Sequence, residues 1–466
     1  MASRSLQAQM TGVEVTGQNL ANVNTPGYSR QMVKITASPD VQTSIGPEGT
    51  GADATSIQQA VSSLLNSQIQ SQSSTSGYWN AQQSALQSAQ AALAEFLSGS
   101  STSSSNSTTA STDTSGTGLS TQLSGFFSAF SALASSDSAS NQQAAVNAGQ
   151  SLATMFNNLD SQFSSVRTSL NASLASEVTS ANQLLTNIAG LNKEISTAQS
   201  DGGNANNLLD EREQDLENLS QLTTVSTSTG TNGAVNVTIG GQTLVAGGAV
   251  SDTLQTYDAG NGQLLVQTAA GGVNLTLTGG SMQGTIDARD NTLATMQSNV
   301  NQLAGTLITQ VNAIHNSGYS STGGTGNSFF SGSDAGTISV NAALANNPSL
   351  IQISGSSTNS GDTSLALQIS QLSTAAQSAL NNQTFGDSYD GTVADLGNAL
   401  DNANSQVTDQ TSVANMLTTQ RGSISGVNVD EEMTNMMTFQ RAYQASAQVV
   451  TTVNTLLGDT IAMKTS

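Results

Sequence analysis

The residues that could do chemistry are few. The chain holds one histidine, His315, and no cysteine. A lone imidazole cannot build a multi-histidine metal site within one subunit. Without thiols there are no disulfides, thiolate metal sites or thiol nucleophiles. His315 falls at the end of a predicted helix, 286–315, where an imidazolium would interact well with the helix dipole. Carboxylates gather in two places, at Asp210, Glu211, Glu213, Asp215 and Glu217 and at Asp430-Glu431-Glu432. Neither group has a histidine or a ligand-bearing loop beside it. The first reads as a solvated helix face, the second as favourable negative charge at a helix N-terminus. Nothing singles out a carboxylate pair for general acid/base work. The glycine pairs at 240–241, 247–248, 271–272 and 279–280 lack the Lys-Ser/Thr of a phosphate loop and read as turns. No catalytic residue, no metal and no cofactor is expected.

Composition narrows the partners. Of 466 residues, 36% are apolar and 4% aromatic, and 10 Lys plus Arg face 31 Asp plus Glu, for a net charge of −21. No basic stripe offsets that charge, so nucleic acid and anionic membrane are poor partners. There is no run of 18 apolar residues, so no membrane insertion is expected, and no basic-then-apolar leader opens the sequence.

The predicted elements are mostly helical. Residues 3–24 predict a helix in which Leu6, Val13 and Leu20 recur every seven residues with Met10 and Gly17 between them, a short coiled-coil seam. Asn22-Val23-Asn24-Thr25-Pro26-Gly27-Tyr28 stops it, since Pro26 pushes Thr25 toward extended geometry and Gly27 permits positive φ. A short strand is predicted at 31–36, then a Gly/Pro-rich stretch at 46–51, then helix over 55–97 with Trp79 as a buried anchor. The Ser/Thr tract 98–118 reads as a flexible loop. Phe126, Phe127, Phe130 and Leu133 share one helical face. Helix is predicted over 141–199, ended by Asp201-Gly202-Gly203, and over 208–222. Residues 224–280 alternate and are cut by the glycine pairs, as in a small antiparallel β domain. After 286–315, an irregular stretch at 316–363 carries β-like runs at 337–340 and 350–353. Helices are then predicted at 364–381 and 391–421, the second with Leu400, Val407 and Ala414 in one row.

The last segment, 427–463, predicts one long amphipathic helix. Met436, Tyr443, Val450 and Leu457 form one row, and Met433, Gln440, Ala447, Asn454 and Ile461 the other, with Val429 leading in. Gln440 and Asn454 are polar seam positions of the kind that fix register. An isolated helix of about 20 residues is marginal in water, so the first helix needs a partner and the last offers a matching face. Small residues (Ala21, Ala442, Ala445, Ala447) would allow close approach. The expected fold class is α+β multidomain. It has three parts: a terminal coiled coil from 1–36 with 426–466, an elongated helical-bundle domain from 37–223 with 286–425, and an inserted antiparallel β domain at 224–285. The N-terminal seam, Leu6 to Leu20, is shorter than 429–461, so much of the C-terminal face is expected to meet other surfaces.

Both ends carry recognisable runs. Leu20-Ala21-Asn22-Val23-Asn24-Thr25-Pro26-Gly27-Tyr28-Ser29-Arg30 resembles the N-terminal signature of the bacterial flagellar rod, hook and hook-associated proteins. Gly426-Val427-Asn428-Val429-Asp430-Glu431-Glu432 with Phe439-Gln440-Arg441-Ala442-Tyr443-Gln444-Ala445-Ser446-Ala447 resembles their C-terminal signature. Internally, Asn207-Leu208-Leu209-Asp210-Glu211-Arg212-Glu213, Ile239-Gly240-Gly241-Gln242-Thr243-Leu244-Val245 and Gly284-Thr285-Ile286-Asp287-Ala288-Arg289-Asp290 resemble the hook-associated protein 1 branch of that family. The resemblance spans the whole chain, closely at the ends and loosely between.

It implies a structural component of the flagellum and not an enzyme, extracellular, at the hook–filament junction. Export would use the flagellar type III apparatus without a cleaved signal. The implied partners are hook protein and hook-associated protein 3 in the axial lattice, further copies of the chain, and an export chaperone on the C-terminal helix. The assembly surface would carry Leu6, Met10, Val13, Gly17, Leu20, Asn22, Asn24, Pro26, Gly27 and Tyr28 from the first helix and its turn. The last helix would add Val429, Met433, Met436, Gln440, Tyr443, Ala447, Val450, Asn454, Leu457 and Ile461, also the surface offered to the chaperone. The alternatives are another axial protein (hook protein or hook-associated protein 3) and a secreted adhesin on helical stalks.

Overall fold

The computed structural model describes residues 2–97, 118–260, 262–359 and 361–465. Apart from Gly118, the predicted flexible loop at 98–118 lies outside the described residues. The chain opens with helix α1 (Ala2–Ala21), followed by strand β1 (Gln31–Ala37), a small hairpin of β2 (Val41–Thr43) and β3 (Gly46–Glu48), and β4 (Ala52–Gln59), which pairs antiparallel with β1. The predicted helix at 55–97 therefore begins late, as α2 (Ser63–Leu97). The reason is local: Ala52–Gln59 carries one large apolar residue, Ile57, too little for a helical face. The β1 ladder supplies the partners its backbone needs.

The body is built from α2, α3 (Leu119–Ser135), α4 (Ala139–Ser200) and α5 (Asn206–Leu222), then α6 (Gly280–Asp287), α7 (Ala294–His315), α8 (Ala342–Asn346), α9 (Ser364–Gln371) and α10 (Phe385–Ser425). The 62 residues of α4 make one rod about 90 Å long. Ser138 starts it by accepting the Asn141 N–H, and Gly202, with φ +74°, ends it as predicted. The predicted 286–315 helix starts earlier, at Gly280, and passes through a π-helical turn at Ala288–Leu293. Buried Arg289 holds that turn through Asp290 (2.7 and 2.6 Å), Asn171 (2.7 Å) and the Leu264 carbonyl (2.7 Å). The predicted 364–381 helix stops at Gln371 and gives way to turns, a one-turn helix at 378–380 and two residues of positive φ, Asn381 and Asn382, closed by a bridge between Gln377 and Gln383. α10 starts at Phe385, capped by Thr384. Its expected row fades along the helix: Leu400 is buried, but Val407 and Ala414 are only half-buried.

Two cores flank the middle of α4. In the first, Phe126, Phe127 and Phe130 of α3 meet Phe329, Phe330 and Phe385 at ring separations of 4.8–5.8 Å, mostly edge-on or tilted as their quadrupoles favour. A chain poor in aromatics has concentrated them where the irregular 316–354 stretch folds back onto α3 and α4. Trp79, expected to be a buried anchor, is only half-buried at the edge of this core, edge-on to Tyr78. In the second core, Leu174, Ala181 and Ile188 of α4 pack with Leu216 and Leu219 of α5 and with the β layers. These layers are a four-stranded antiparallel sheet, β5 (Val225–Thr229), β6 (Val235–Ile239), β7 (Gln242–Ala246) and β8 (Ala249–Val250), and the hairpin β9 (Leu254–Asp258)–β10 (Leu264–Thr268). Gly240 and Gly241 both take positive φ between β6 and β7, the requirement of a two-residue hairpin turn. The inward side chains of the strands thus share one core with α4 and α5. Short pairs β11 (Tyr319–Ser320)–β14 (Gln352–Ser354) and β12 (Phe330–Ser331)–β13 (Ser339–Val340) tie down the irregular stretch. The last helix is α11 (Val429–Thr465).

His315 is not the charged C-terminal residue that its position predicts. It is fully buried, with Nδ1 2.6 Å from the Asn327 carbonyl, while Nε2 accepts the Gln352 N–H at 3.0 Å. Those partners require the neutral Nδ1–H tautomer, and burial pulls the imidazole down from 6.5 to about 4. A depressed histidine contributes stability that is present above 6.5 and lost as pH falls through 4. Denaturant unfolding followed against pH should show that loss in the wild-type chain. His315→Gln should remove this part of the pH slope and lower stability near neutral pH by about 1–3 kcal/mol, the cost of a stranded buried amide.

Candidate functional site

The two terminal helices lie antiparallel, and their register can be read from three contacts. Ser5 Oγ is 3.1 Å from Ser446 Oγ, Gly12 lies against the Phe439 ring, and Asn19 donates to Glu432 at 2.9 Å. Each step is seven residues on both helices, in opposite directions, which is a heptad seam. A Cβ on Gly12 would fall 2.6–2.8 Å from carbons of the Phe439 ring, so the ring needs a glycine opposite it. Gly17 fits in the same way, less tightly, beside Met436 Cε.

The seam is real, but its inner face is not the one the apolar spacing predicts. On α1 the buried residues are Ala8, Gly12, Val15, Thr16 and Asn19. Leu6, Val13, Gly17 and Leu20 are half-buried on the flanks, and Met10 is 53% exposed. On α11, Met436, Ala447 and Val450 are half-buried, while Val429, Met433, Gln440, Tyr443, Asn454, Leu457 and Ile461 are exposed within the subunit. The inner row is Glu432, Phe439 and Ser446, one residue before the predicted Met433–Gln440–Ala447 row. Two of its three members are polar, which hid it from a reading of apolar spacing. Close approach comes from Ala8 and Gly12, with Ala442 and Ala447 half-buried opposite; Ala21 and Ala445 are exposed.

The end of the seam is closed by polar chemistry. Asn19 is fully buried, and its amide makes all four bonds open to it. Nδ2 donates to the Gln31 carbonyl (2.8 Å) and to Glu432 Oε2 (2.9 Å), and Oδ1 accepts from the Gln31 N–H (2.9 Å) and the Tyr28 hydroxyl (2.9 Å). Glu432, 1% exposed, is neutralised by Arg30 Nε at 2.8 Å, and Arg30 also reaches Glu431 at 2.9 Å. The Asp430-Glu431-Glu432 run is thus more than charge at a helix N-terminus: two of its members pair with Arg30, the residue that leads into β1. The turn from α1 to β1 serves this node. Asn22 holds the helix end by donating to the Gln18 carbonyl at 3.0 Å, Gly27 takes φ +78°, and Asn24, Pro26 and Gly27 are exposed. Burial, helped by the charges of Asp210 and Glu432, pushes the Tyr28 hydroxyl up to about 12, so it stays a donor.

The same turn is bolted to α5. Asp210 accepts the Ser29 N–H at 3.0 Å, Gln31 donates to Asn207 at 3.0 Å, and Gln59 donates to the Asn206 carbonyl at 2.8 Å. The acidic helix expected to be solvated is packed against its neighbours, with Glu217 buried and Asp210, Glu213 and Asp215 half-buried. Glu217 pairs with Arg421 of α10, Glu213 accepts from Gln70 of α2, and only Glu211 of the five carboxylates is exposed. Burial raises Asp210, Glu213 and Glu217 above the usual carboxylate range, against the pull of those partners. Among the described residues no three His, Asp or Glu side chains converge as metal ligands. What the arrangement does is mechanical, since it sets two helices against each other and fixes that pair to the body.

Gly12→Val should force the Phe439 ring out of the seam, an overpacking cost of about 1–3 kcal/mol. Hydrogen exchange over residues 2–21 should accelerate while α3 and α4 stay protected. Phe439→Ala in the same chain should restore part of the protection, and no recovery would mean that the two do not pack as described.

Comparison with known proteins bears on the whole chain. Residues 106–330 match the family described as the flagellar hook-associated protein FlgK helical domain. Residues 419–463 match the flagellar basal body rod FlgEFG protein C-terminal family, and residues 1–28 the flagella basal body rod protein family. The flagellar hook-associated protein 1 of Bacillus subtilis (strain 168) is 25% identical over 99% of this chain and 96% of its own. That of Salmonella typhimurium is 24% identical over 98% and 97%. In fold, the flagellar hook junction protein FlgK from Burkholderia pseudomallei superposes with a TM-score of 0.63 at 19% identity, over 77% of this chain and 100% of that one. The chain belongs to the hook-associated protein 1 family of structural proteins of the bacterial flagellum.

Proposed function

We propose that this chain forms the adaptor layer between flagellar hook and filament, and that it polymerises axially through its terminal helices. The observation that carries this reading is the unequal length of the paired helices. Ser5 already meets Ser446, so α11 runs on past the start of α1 for a little over four turns, about 24 Å at 1.5 Å per residue. Over that stretch Val453, Leu456, Leu457, Ile461 and Met463 are all exposed, between 48% and 73%. Apolar residues at such density on a soluble helix mark a surface meant for another protein. The outward residues Met433, Gln440, Tyr443, Asn454, Leu457 and Ile461, with Met10 on α1, are assigned to contacts between subunits rather than within one.

The partners that fit are further copies of the chain, hook protein on one side and hook-associated protein 3 on the other. Before assembly, an export chaperone covers the apolar end of α11, and the chain leaves the cell by flagellar type III export without a cleaved signal. The division of labour follows the sequence reading: 1–36 with 426–466 as the axial part, 37–223 with 286–425 as the helical body, and 224–285 as the outer β part. Relatives named as hook-associated protein 1 along nearly the full chain support this over the hook-protein, hook-associated-protein-3 and adhesin alternatives.

A strain lacking this protein should make hooks without filaments, visible by electron microscopy, and the full chain should restore filaments. The same chain lacking residues 427–466 should keep a cooperative melt of its body yet fail to restore them. Normal filaments from the truncated chain would overturn the reading.

A further inference from the structure

Three buried side-chain oxygens among the described residues meet no hydrogen-bond partner: Glu177 Oε2, Ser281 Oγ and Thr223 Oγ1. They belong to one place, where α4, the end of α5 and the start of α6 meet. Glu177 points from α4 at α6, with Thr285 Oγ1 3.5 Å from its Oε1. Ser281 is one turn earlier on the same face of α6. Thr223 follows α5, and its backbone nitrogen lies 2.3 Å from where a Cβ on Gly280 would stand. Glu177, Ser281 and Thr285 line a groove of about 880 Å³ between α2 and α4, walled mainly by serine and alanine side chains such as Ser76, Ser84, Ala85 and Ser169.

The charge around this carboxyl is sparse. The groove residues of α2 and α6 include no charged side chain, those of α4 only Glu177, those of α5 only Glu217 and those of α10 only Arg421. Arg421 is committed to Glu217. A carboxylate at 177 therefore faces hydroxyls and apolar wall with no cation opposite. Burial raises it from 4.5 to about 7, against the opposing pull of the nearby Ser281 and Thr285 hydroxyls.

We propose that Glu177 is a proton-operated lock on the contact between α4 and α6 that borders this groove. As a neutral acid, carrying a proton taken from solvent, it donates its O–H to the Ser281 or Thr285 hydroxyl oxygen and the helices close. As a carboxylate it draws water into the groove and the contact loosens. The device sits near the middle of the long rod, at the end of the second core that faces the first.

The sign follows from linkage. The native state keeps the proton between 4.5 and about 7, where the unfolded chain has lost it. The contribution is therefore full below 4.5 and gone as pH rises through 7. His315 acts in the opposite sense between 6.5 and 4, and the carboxylates of α5 act in the same sense, so the test is the difference between wild type and Glu177→Gln in the full chain. That variant cannot titrate. Its unfolding constant relative to wild type should fall on the order of a hundredfold between about pH 4.5 and pH 8, leaving it the more stable chain at the upper end. A pH-independent difference would overturn the lock. Hydrogen exchange in the wild-type chain needs no variant: amides 280–287, corrected for intrinsic rate, should slow below about pH 7. Equal protection from about pH 5 to pH 8 would also overturn it.

Discussion

A buried asparagine with every bond made is the constraint around which the termini are organised. Asn19 ties four segments at once: its own helix, the turn through Tyr28, strand β1 through both backbone groups of Gln31, and α11 through Glu432. Each partner would be costly to bury alone. The buried Glu432 carboxylate has its counter-charge in Arg30, and the Asn19 amide is satisfied only while strand and helix are both in place. Stability alone does not explain such a node, since apolar side chains of the same volume would hold two helices together as well. Its value lies in being satisfied in one arrangement, which fixes angle and register where an apolar seam alone would tolerate several.

That logic also explains which parts of the fold were legible in the sequence. The faces of Phe126, Phe127 and Phe130 and of Leu174, Ala181 and Ile188 were plain because large or periodic apolar residues sat at helical spacing. The long helices and the glycine-cut strands followed from the same patterning. The inner seam did not, because Ala8 and Gly12 are small and Asn19, Glu432 and Ser446 are polar. A pattern of apolar residues pointed to the neighbouring faces, where Leu6, Val13 and Met433 lie. Leu20-Ala21-Asn22 through Arg30 stood out as a run, yet nothing in that run showed that Tyr28 turns back to Asn19 or that Arg30 reaches residues some four hundred positions away.

The errors elsewhere share this cause. β4 read as helix because its ladder partner, β1, lies about twenty residues upstream. The carboxylates of α5 read as solvated because Ser29, Gln70 and Arg421 come from three distant segments. His315 read as a charged helix end because Asn327 and Gln352 belong to a stretch that looked irregular. In each case the local sequence was read correctly for a chain in water, and the environment that changed the answer was assembled from afar.

The heptad register of the terminal pair has one more consequence, for loads along the axis. Ser5, Gly12 and Asn19 oppose Ser446, Phe439 and Glu432 in three steps of equal length. The nearest position in which the two helices could mesh again is one full heptad away, a slide of about 10.5 Å. There Phe439 would face Asn19 or Ser5, and Gly12 would face Glu432 or Ser446, stranding a buried amide or a carboxylate. The pair is therefore indexed like a key with a single correct depth. A load along the axis therefore meets a seam that opposes sliding at every position short of a full heptad.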